Sequence, residues 1–351
     1  MARAHASRRR ELAAPARPAC AAFVRPYTAK KAGTDFFMQI KPRVLVFAYH
    51  DVGYQCLALL LGRGVEVVAV FTHEDDPGEQ VWFKSVAQLA RTRGVAVYTP
   101  RTISTPDWIA RIKDLRPDLI LSFYYRQLIP TEVLDLARLG AYNMHGSLLP
   151  KYRGRAPVNW AVLHGERDTG VTLHVMVERP DAGDIVDQER VPIGTEETAR
   201  EVFNRVTAAA RTVLERQLDN LFAGRAPRRP QDEAQASYFG GRRPEDGRID
   251  WRLEVRAVFN LIRAVTHPYP GAFTDVDGRR LFIWWARPRG TEQGVPGEVL
   301  SAAPLTVACG GGALEVLEWQ WHGDTPRRDD THGLPRGAVL GAPAAINVHG
   351  A

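Results

Sequence analysis

From Arg43 to Gly140, short apolar runs alternate with helix-forming stretches, and no other feature restricts the fold of this 351-residue chain as much. Residues 43–49 (RVLVFAY) and 118–123 (DLILSF) are close to continuous apolar runs, as expected of strands buried on both faces. The spacing predicts further strands over 65–72 and 95–98, and helices over 53–62, about 80–92, 106–115 and 131–138. Gly140 can take the left-handed conformation that ends the last of these helices. Such repetition builds an α/β, Rossmann-like fold, a mainly parallel sheet with helices on both faces. Ligands bind such sheets beyond the carboxyl ends of the strands.

After Gly140 the pattern changes. Residues 170–177 and 184–191 read as two strands joined by Arg179-Pro180-Asp181-Ala182-Gly183, and 197–222 as one long helix. Dense Pro, Gly and charge make 224–248 a linker. Beyond it, a helix near 253–265 and β-like runs at 280–285, 297–300, 304–308 and 313–318 predict a small, mostly β C-terminal domain resembling an OB-type or partly open barrel. The expected division is therefore a catalytic domain over 38–223, a linker over 224–248 and a barrel-like domain over 249–340. Residues 1–37 are rich in Ala, Arg and Pro without hydrophobic period and read as disordered, and Met38 is a plausible true start of translation.

The formal charge of +6 is carried by that tail: residues 1–37 hold eight Lys/Arg against two acids, and the remainder is balanced. A body without net charge lacks the broad electrostatic footprint of a nucleic-acid binder. No apolar run is long enough to span a bilayer. Three dispersed cysteines show neither disulfide nor metal spacing, so a cytoplasmic protein without a metal is expected.

Chemistry concentrates in Asn143-Met144-His145-Gly146-Ser147-Leu148-Leu149-Pro150. If 141–145 is extended, Asn143 and His145 point to one face. An amide donor beside a proton-shuttling imidazole suits acyl transfer, although either residue alone is more often a turn cap or a filled polar cavity. Asp181 is a candidate third member, since a nearby carboxylate favours the charged ring and fixes its tautomer; on turn chemistry alone it is an ordinary turn residue. Lys151, Arg153 and Arg155 precede Pro157, which suits the first turn of a helix over about 157–164, so an anion could sit there. No G-x-G-x-x-G follows the first strand, which disfavours a nicotinamide dehydrogenase. Ser147 lacks the glycine two residues on that a nucleophile elbow needs.

The run NMHGSLLPKYRGRAPVNWAVLHGERDTGVTLHVM, followed by RPDAGDIV, resembles the folate-dependent formyltransferase family, which includes methionyl-tRNA formyltransferase and several sugar formyltransferases. VFAYHDVG (46–53), FTHEDDPGE (71–79), SFYYRQLIP (122–130) and Arg155 in GRAP look like ArnA-type formyltransferases, which act on UDP-4-amino-4-deoxy-L-arabinose in lipid A modification. The resemblance implies that Asn143 binds the formyl oxygen, that His145 handles the proton, and that Asp181 orients His145 and favours its charged form. It further implies that N10-formyltetrahydrofolate, a co-substrate, is bound by Gln127, Leu128, Ile129, Arg155, Val177, Glu178, Arg179, Pro180 and Asp181. ArnA proteins often continue into a decarboxylase; this chain has no room for one, so a separate decarboxylase is the expected pathway partner.

Methionyl-tRNA is the main alternative acceptor. An enzyme gripping tRNA should place cations around its mouth, whereas this loop carries Glu74, Asp75, Asp76 and Glu79. Another nucleotide-linked amino sugar is a third reading. A binding protein without activity is disfavoured by the intact Asn143, His145 and Asp181.

Overall fold

The computed structural model describes residues 41–341 other than Glu79 and Thr291. The tail expected over 1–37, the start at Met38 and Glu79 of the acidic loop lie outside the described residues. The first half runs β1 (Arg43–Ala48), α1 (His50–Gly62), β2 (Glu66–Phe71), α2 (Val86–Thr92), β3 (Val97–Tyr98), α3 (Pro106–Asp114), β4 (Leu119–Phe123), α4 (Thr131–Leu134) and β5 (Ala141–His145). It continues through β6 (Arg153–Gly154), α5 (Pro157–Leu163), β7 (Asp168–Val175), β8 (Ile185–Pro192), α6 (Ala199–Phe222) and β9 (Tyr238–Phe239). The chain then forms α7 (Val255–Val265), β10 (Ala272–Val276), β11 (Arg279–Arg289), β12 (Val299–Ala302), β13 (Leu305–Ala308) and β14 (Ala313–Trp321).

The main sheet has the order β3-β2-β1-β4-β5-β7-β8. The strands from β1 to β5 in this sheet run parallel, while β7 is antiparallel to β5 and β8 to β7. The chain winds outward from β1 to β3 and returns to lay β4 on the other side of β1, so the order reverses between β1 and β4. Alternation along each strand divides the core. Val44, Val46, Phe123, Tyr142 and Met144 pack towards α1 and α6. Leu45, Phe47 and Ala141 pack with Ile112 of α3 and Val133 and Leu134 of α4 on the opposite face.

Helix ends follow local chemistry. Thr198 and Glu201 form a reciprocal capping box at the start of α6, which fixes where that helix begins. The helix expected from about residue 80 starts only at Val86, because Ser85 accepts from the Gln88 N–H and caps it. The helix expected over 131–138 is a single turn, and Gly140 follows it at φ +99°.

The second sheet is antiparallel, in the order β10-β11-β14-β13-β12, with α7 packed on β11. Strand β10 lies outside the β-like runs read from sequence. The Pro- and Gly-rich segment after α6 lies against the main sheet: β9 pairs in parallel with β6, and Arg229 bridges to Ile185. Among the described residues no helix is long and apolar enough to cross a membrane.

Candidate active site

Parallel β4 and β5 and antiparallel β7 align a polar row across the sheet. Ser122 pairs with Asn143, Asn143 with His174, and His145 with Thr172. Because Tyr142 and Met144 turn into the α1/α6 core, Asn143 and His145 face the other side, as the extended reading of 141–145 requires. Thr172 ties down the chain after His145, donating to the Ser147 carbonyl and accepting from the Leu149 N–H.

Asp181 comes back from the β7–β8 turn to this row. Its Oδ1 lies 3.5 Å from His145 Nδ1, 3.4 Å from His174 Nε2 and 3.5 Å from Asn143 Nδ2. Its Oδ2 accepts from the Gly154 N–H at 2.9 Å. Burial alone would raise its carboxyl, but the His145 and His174 imidazoles and the Gly154 N–H outweigh burial and hold it well below the usual carboxylate range. The carboxylate is therefore ionised whenever either imidazole needs a counter-charge.

The two imidazoles are engaged on both sides. His145 Nε2 is 2.7 Å from the Tyr152 carbonyl, which can only accept, so Nε2 carries a hydrogen. The nitrogen left to gain or lose a proton is Nδ1, facing Asp181. His174, 1% exposed, donates from Nδ1 to the Val175 carbonyl at 2.9 Å. In the neutral ring its Nε2 accepts from Asn143 Nδ2 at 3.1 Å. That nitrogen can accept from the Asn143 amide or carry a proton towards Asp181, but not both.

A clamp holds the Asp181 turn. Asp181 itself sits at φ +55°, a left-handed conformation that costs a non-glycine residue roughly 1–2 kcal/mol. Gln231 Nε2 donates to the Asp181 and Gly183 carbonyls, both at 2.7 Å. Its Oε1 accepts from Arg153 Nε and Nη2 at 3.1 and 2.8 Å. Arg153 is fully buried and also binds Glu233 and the Tyr238 hydroxyl. Gly154 must be glycine, since its φ is +100° and a Cβ would collide with the Phe239 carbonyl.

The structure thus brings Asn143, His145 and Asp181 together, adds His174 and Gln231, which sequence reasoning did not assign to the site, and turns Arg153 from an expected anion-site cation into part of the clamp. Alternation with Thr172 could have put His174 on the polar face; nothing local marks Gln231. The expected three-cation anion site is reduced, because Arg153 is buried and paired while Lys151 and Arg155 are exposed. Of the other residues expected to bind the co-substrate, Gln127 donates to the Pro100 carbonyl. Ile129 packs on the α3/α4 core together with Met176. Leu128 is 73% and Val177 44% exposed, and Glu178, Arg179 and Pro180 are exposed. A surface cavity of about 420 Å³ lies beside Leu128, lined also by Ser104, Ile109 and Glu132; Asn143, His145 and Asp181 are not part of its wall.

Two family models match the chain: Formyl transferase over residues 44–218, and Formyl transferase, C-terminal domain, over 242–327. The chain belongs to the formyl transferase family. Its two-sheet architecture is that of the family's two domains, and the Gln231 clamp lies between the matched segments. Among solved structures, HypX from Aquifex aeolicus in complex with tetrahydrofolic acid is 22% identical with a TM-score of 0.57, covering 82% of this chain and 46% of HypX. The chain therefore spans less than half the length of HypX. The N-formyltransferase from Helicobacter canadensis, in complex with folinic acid and dTDP-3-aminofucose, is 19% identical with a TM-score of 0.64, covering 78% of this chain and 99% of that one. A sugar N-formyltransferase from Shewanella sp. is 20% identical with a TM-score of 0.56, covering 70% and 97%. At these identities the likeness concerns the fold.

Proposed function

We propose that this formyl transferase moves the formyl group of N10-formyltetrahydrofolate to the 4-amine of UDP-4-amino-4-deoxy-L-arabinose. The observation that carries the reading is the convergence of Asn143, His145, Asp181 and His174 within hydrogen-bonding reach on one face of β5. Structural relatives in complex with tetrahydrofolic acid, and with folinic acid and an amino-sugar nucleotide, support both substrate classes. The folate supplies an activated formyl carbonyl. Exposed Leu128 and Val177 offer apolar surface to a flat ring system.

Asn143 offers an amide N–H to the carbonyl oxygen as charge develops there, the largest single electrostatic contribution in acyl transfer. The amine forms its bond to the formyl carbon and loses a proton to His145 Nδ1, where the ionised Asp181 stabilises the charged ring; the proton passes to folate N10 as the bond from N10 to the formyl carbon breaks and tetrahydrofolate leaves. Asp181 needs no proton of its own for this. His174, in its neutral ring, accepts an Asn143 N–H and so orients the amide.

Segments 46–53, 71–79 and 122–130 favour the UDP-linked pentose among amino sugars. The described acids of the β2 loop, Glu74, Asp75 and Asp76, are exposed and disfavour a tRNA acceptor. In this reading a separate decarboxylase supplies the precursor of the acceptor, and the enzyme works in the cytoplasm. The test incubates the full chain with N10-formyltetrahydrofolate and offers UDP-4-amino-4-deoxy-L-arabinose and methionyl-tRNA in parallel. Tetrahydrofolate release followed by absorbance and a formylated sugar nucleotide by mass spectrometry are expected; formylation of the tRNA alone would overturn the acceptor assignment.

A further inference from the structure

Strand order reverses between β1 and β4, and open α/β sheets take ligands beyond the carboxyl ends of the strands at such a switch point. His50, which opens α1 two residues past the end of β1, sits at φ +64°, and Tyr124, the first residue after β4, at φ +58°. Neither is glycine, and such strain persists where a site over-determines the backbone. Both also carry a buried polar atom with no hydrogen-bond partner in the protein, His50 Nδ1 and the Tyr124 hydroxyl. A third such atom, Arg200 Nη1, comes from the first turn of α6; its nearest acid, Asp51, is 3.9 Å away, beyond hydrogen-bond distance. Half of the six unpartnered buried side-chain atoms among the described residues therefore belong to this one cluster.

Its walls are aromatic. The His50 ring centroid lies 4.1 Å from that of Phe83, 4.4 Å from Trp82, 4.7 Å from Phe203 and 6.5 Å from Tyr124. The Arg200 guanidinium stacks over Trp82 at 3.9 Å. Burial, with help from Arg126 and Arg200, pushes the His50 imidazole down to about 3, so at neutral pH it is an uncharged hydrogen-bonding group.

The cluster lies on the α1/α6 side of the sheet, opposite the face carrying Asn143, His145, Ile129 and Met176. Gly146, next to His145 in the chain, packs against the cluster: a Cβ there would strike the Tyr124 hydroxyl. Ile129, of the stretch expected to bind the donor, packs on the catalytic side of the sheet, which leaves the other side of β5 for the acceptor.

We infer that His50, Tyr124 and Arg200 form the subsite for the amino-sugar ring of the acceptor. His50 and Tyr124 bind ring hydroxyls, the aromatic walls cover the ring's C–H face, and Arg200 meets an anionic oxygen of the diphosphate. This rests on the proposed function, since it requires a sugar nucleotide as acceptor.

Tyr124→Phe tests it with little risk to the fold, because it deletes one unpartnered hydroxyl and nothing else. His50→Asn, which tolerates the left-handed backbone, is the second variant. Both are assayed with UDP-4-amino-4-deoxy-L-arabinose and N10-formyltetrahydrofolate, each substrate varied in turn. The expected result for each variant is a rise of about tenfold in acceptor KM, the size of one lost hydrogen bond, with folate KM unchanged. The melting temperature of Tyr124→Phe should stay level or rise. An unchanged acceptor KM in both variants, on a wild-type enzyme that formylates the sugar nucleotide, would overturn the subsite and leave the proposed function standing. A fall in Tm together with a rise in both KM values would show a structural role and also overturn it. A wild-type enzyme that formylates only methionyl-tRNA would remove the proposed function and the subsite together.

Discussion

Gln231→Glu separates the clamp's hold on the Asp181 turn from its contribution to stability. The substitution keeps side-chain length and leaves an acceptor for Arg153, whose bonds, already charge-assisted by the guanidinium, become an ion pair. On the other side, an amide N–H now 2.7 Å from each of the Asp181 and Gly183 carbonyls becomes an oxygen that cannot donate. Two bonds of about 1 kcal/mol each are lost, so the net change in stability is within about 2 kcal/mol. For a chain of this size that corresponds to a shift of only a few degrees in Tm. The geometry suffers more, because both carbonyls must withdraw and carry the Asp181 carboxylate away from His145. A misplacement of about 1 Å in a catalytic group costs about 10²-fold. Steady-state kinetics by tetrahydrofolate release should therefore show kcat reduced about 100-fold, with both KM values near wild type and a Tm close to wild type by scanning calorimetry. A Gln231→Glu enzyme with wild-type kcat would refute the argument that Gln231 positions Asp181.

His145→Ala should lower kcat by about 10²–10⁴-fold with an unchanged far-UV circular dichroism spectrum; near-normal turnover would exclude it as the proton carrier. His174→Leu should reduce kcat by roughly tenfold without changing folate KM, because Asn143 loses the acceptor that aims its amide, and His174→Gln, which can still accept there, should recover part of it. The depressed Asp181 carboxyl stabilises the fold fully above its unfolded value of 3.8, and that contribution fades as pH falls from about 4 towards the lower folded value. Asp181→Asn should thus lower Tm equally at pH 8 and pH 6, and the gap to wild type should narrow only below about pH 4; a gap that closes by pH 6 would contradict the assigned shift.

The main sheet was readable because buried parallel strands announce themselves as apolar runs. Asn143 and His145 were readable because alternation along an extended strand is a local property. His174 was not, since its place opposite Asn143 depends on the register between β5 and β7, which no local pattern encodes. Asp181 could be nominated but not located, as a turn residue's direction depends on what grips it. The grip comes from Gln231 in a stretch whose Pro, Gly and charge content reads as a connector. Arg153 misled in the opposite sense: one of three neighbouring cations read as an open anion site, yet its guanidinium is buried among Gln231, Glu233 and Tyr238. Strand β10 was missed because AFTDV is short and mixed, and its pairing with β11 supplies what its own pattern lacks.

The clamp also gives the enzyme an order of birth. Gln231 leaves the ribosome 78 residues after its partner Arg153, which at about 5–20 residues per second is a delay of roughly 4–16 s. Once Asp181 has followed, 50 residues ahead of Gln231, the nascent chain carries every reacting side chain of the proposed mechanism but cannot hold Asp181 against its strained backbone. Formyl transfer should therefore be silent in ribosome-bound chains that stop at α6, and appear once β9 has joined β6.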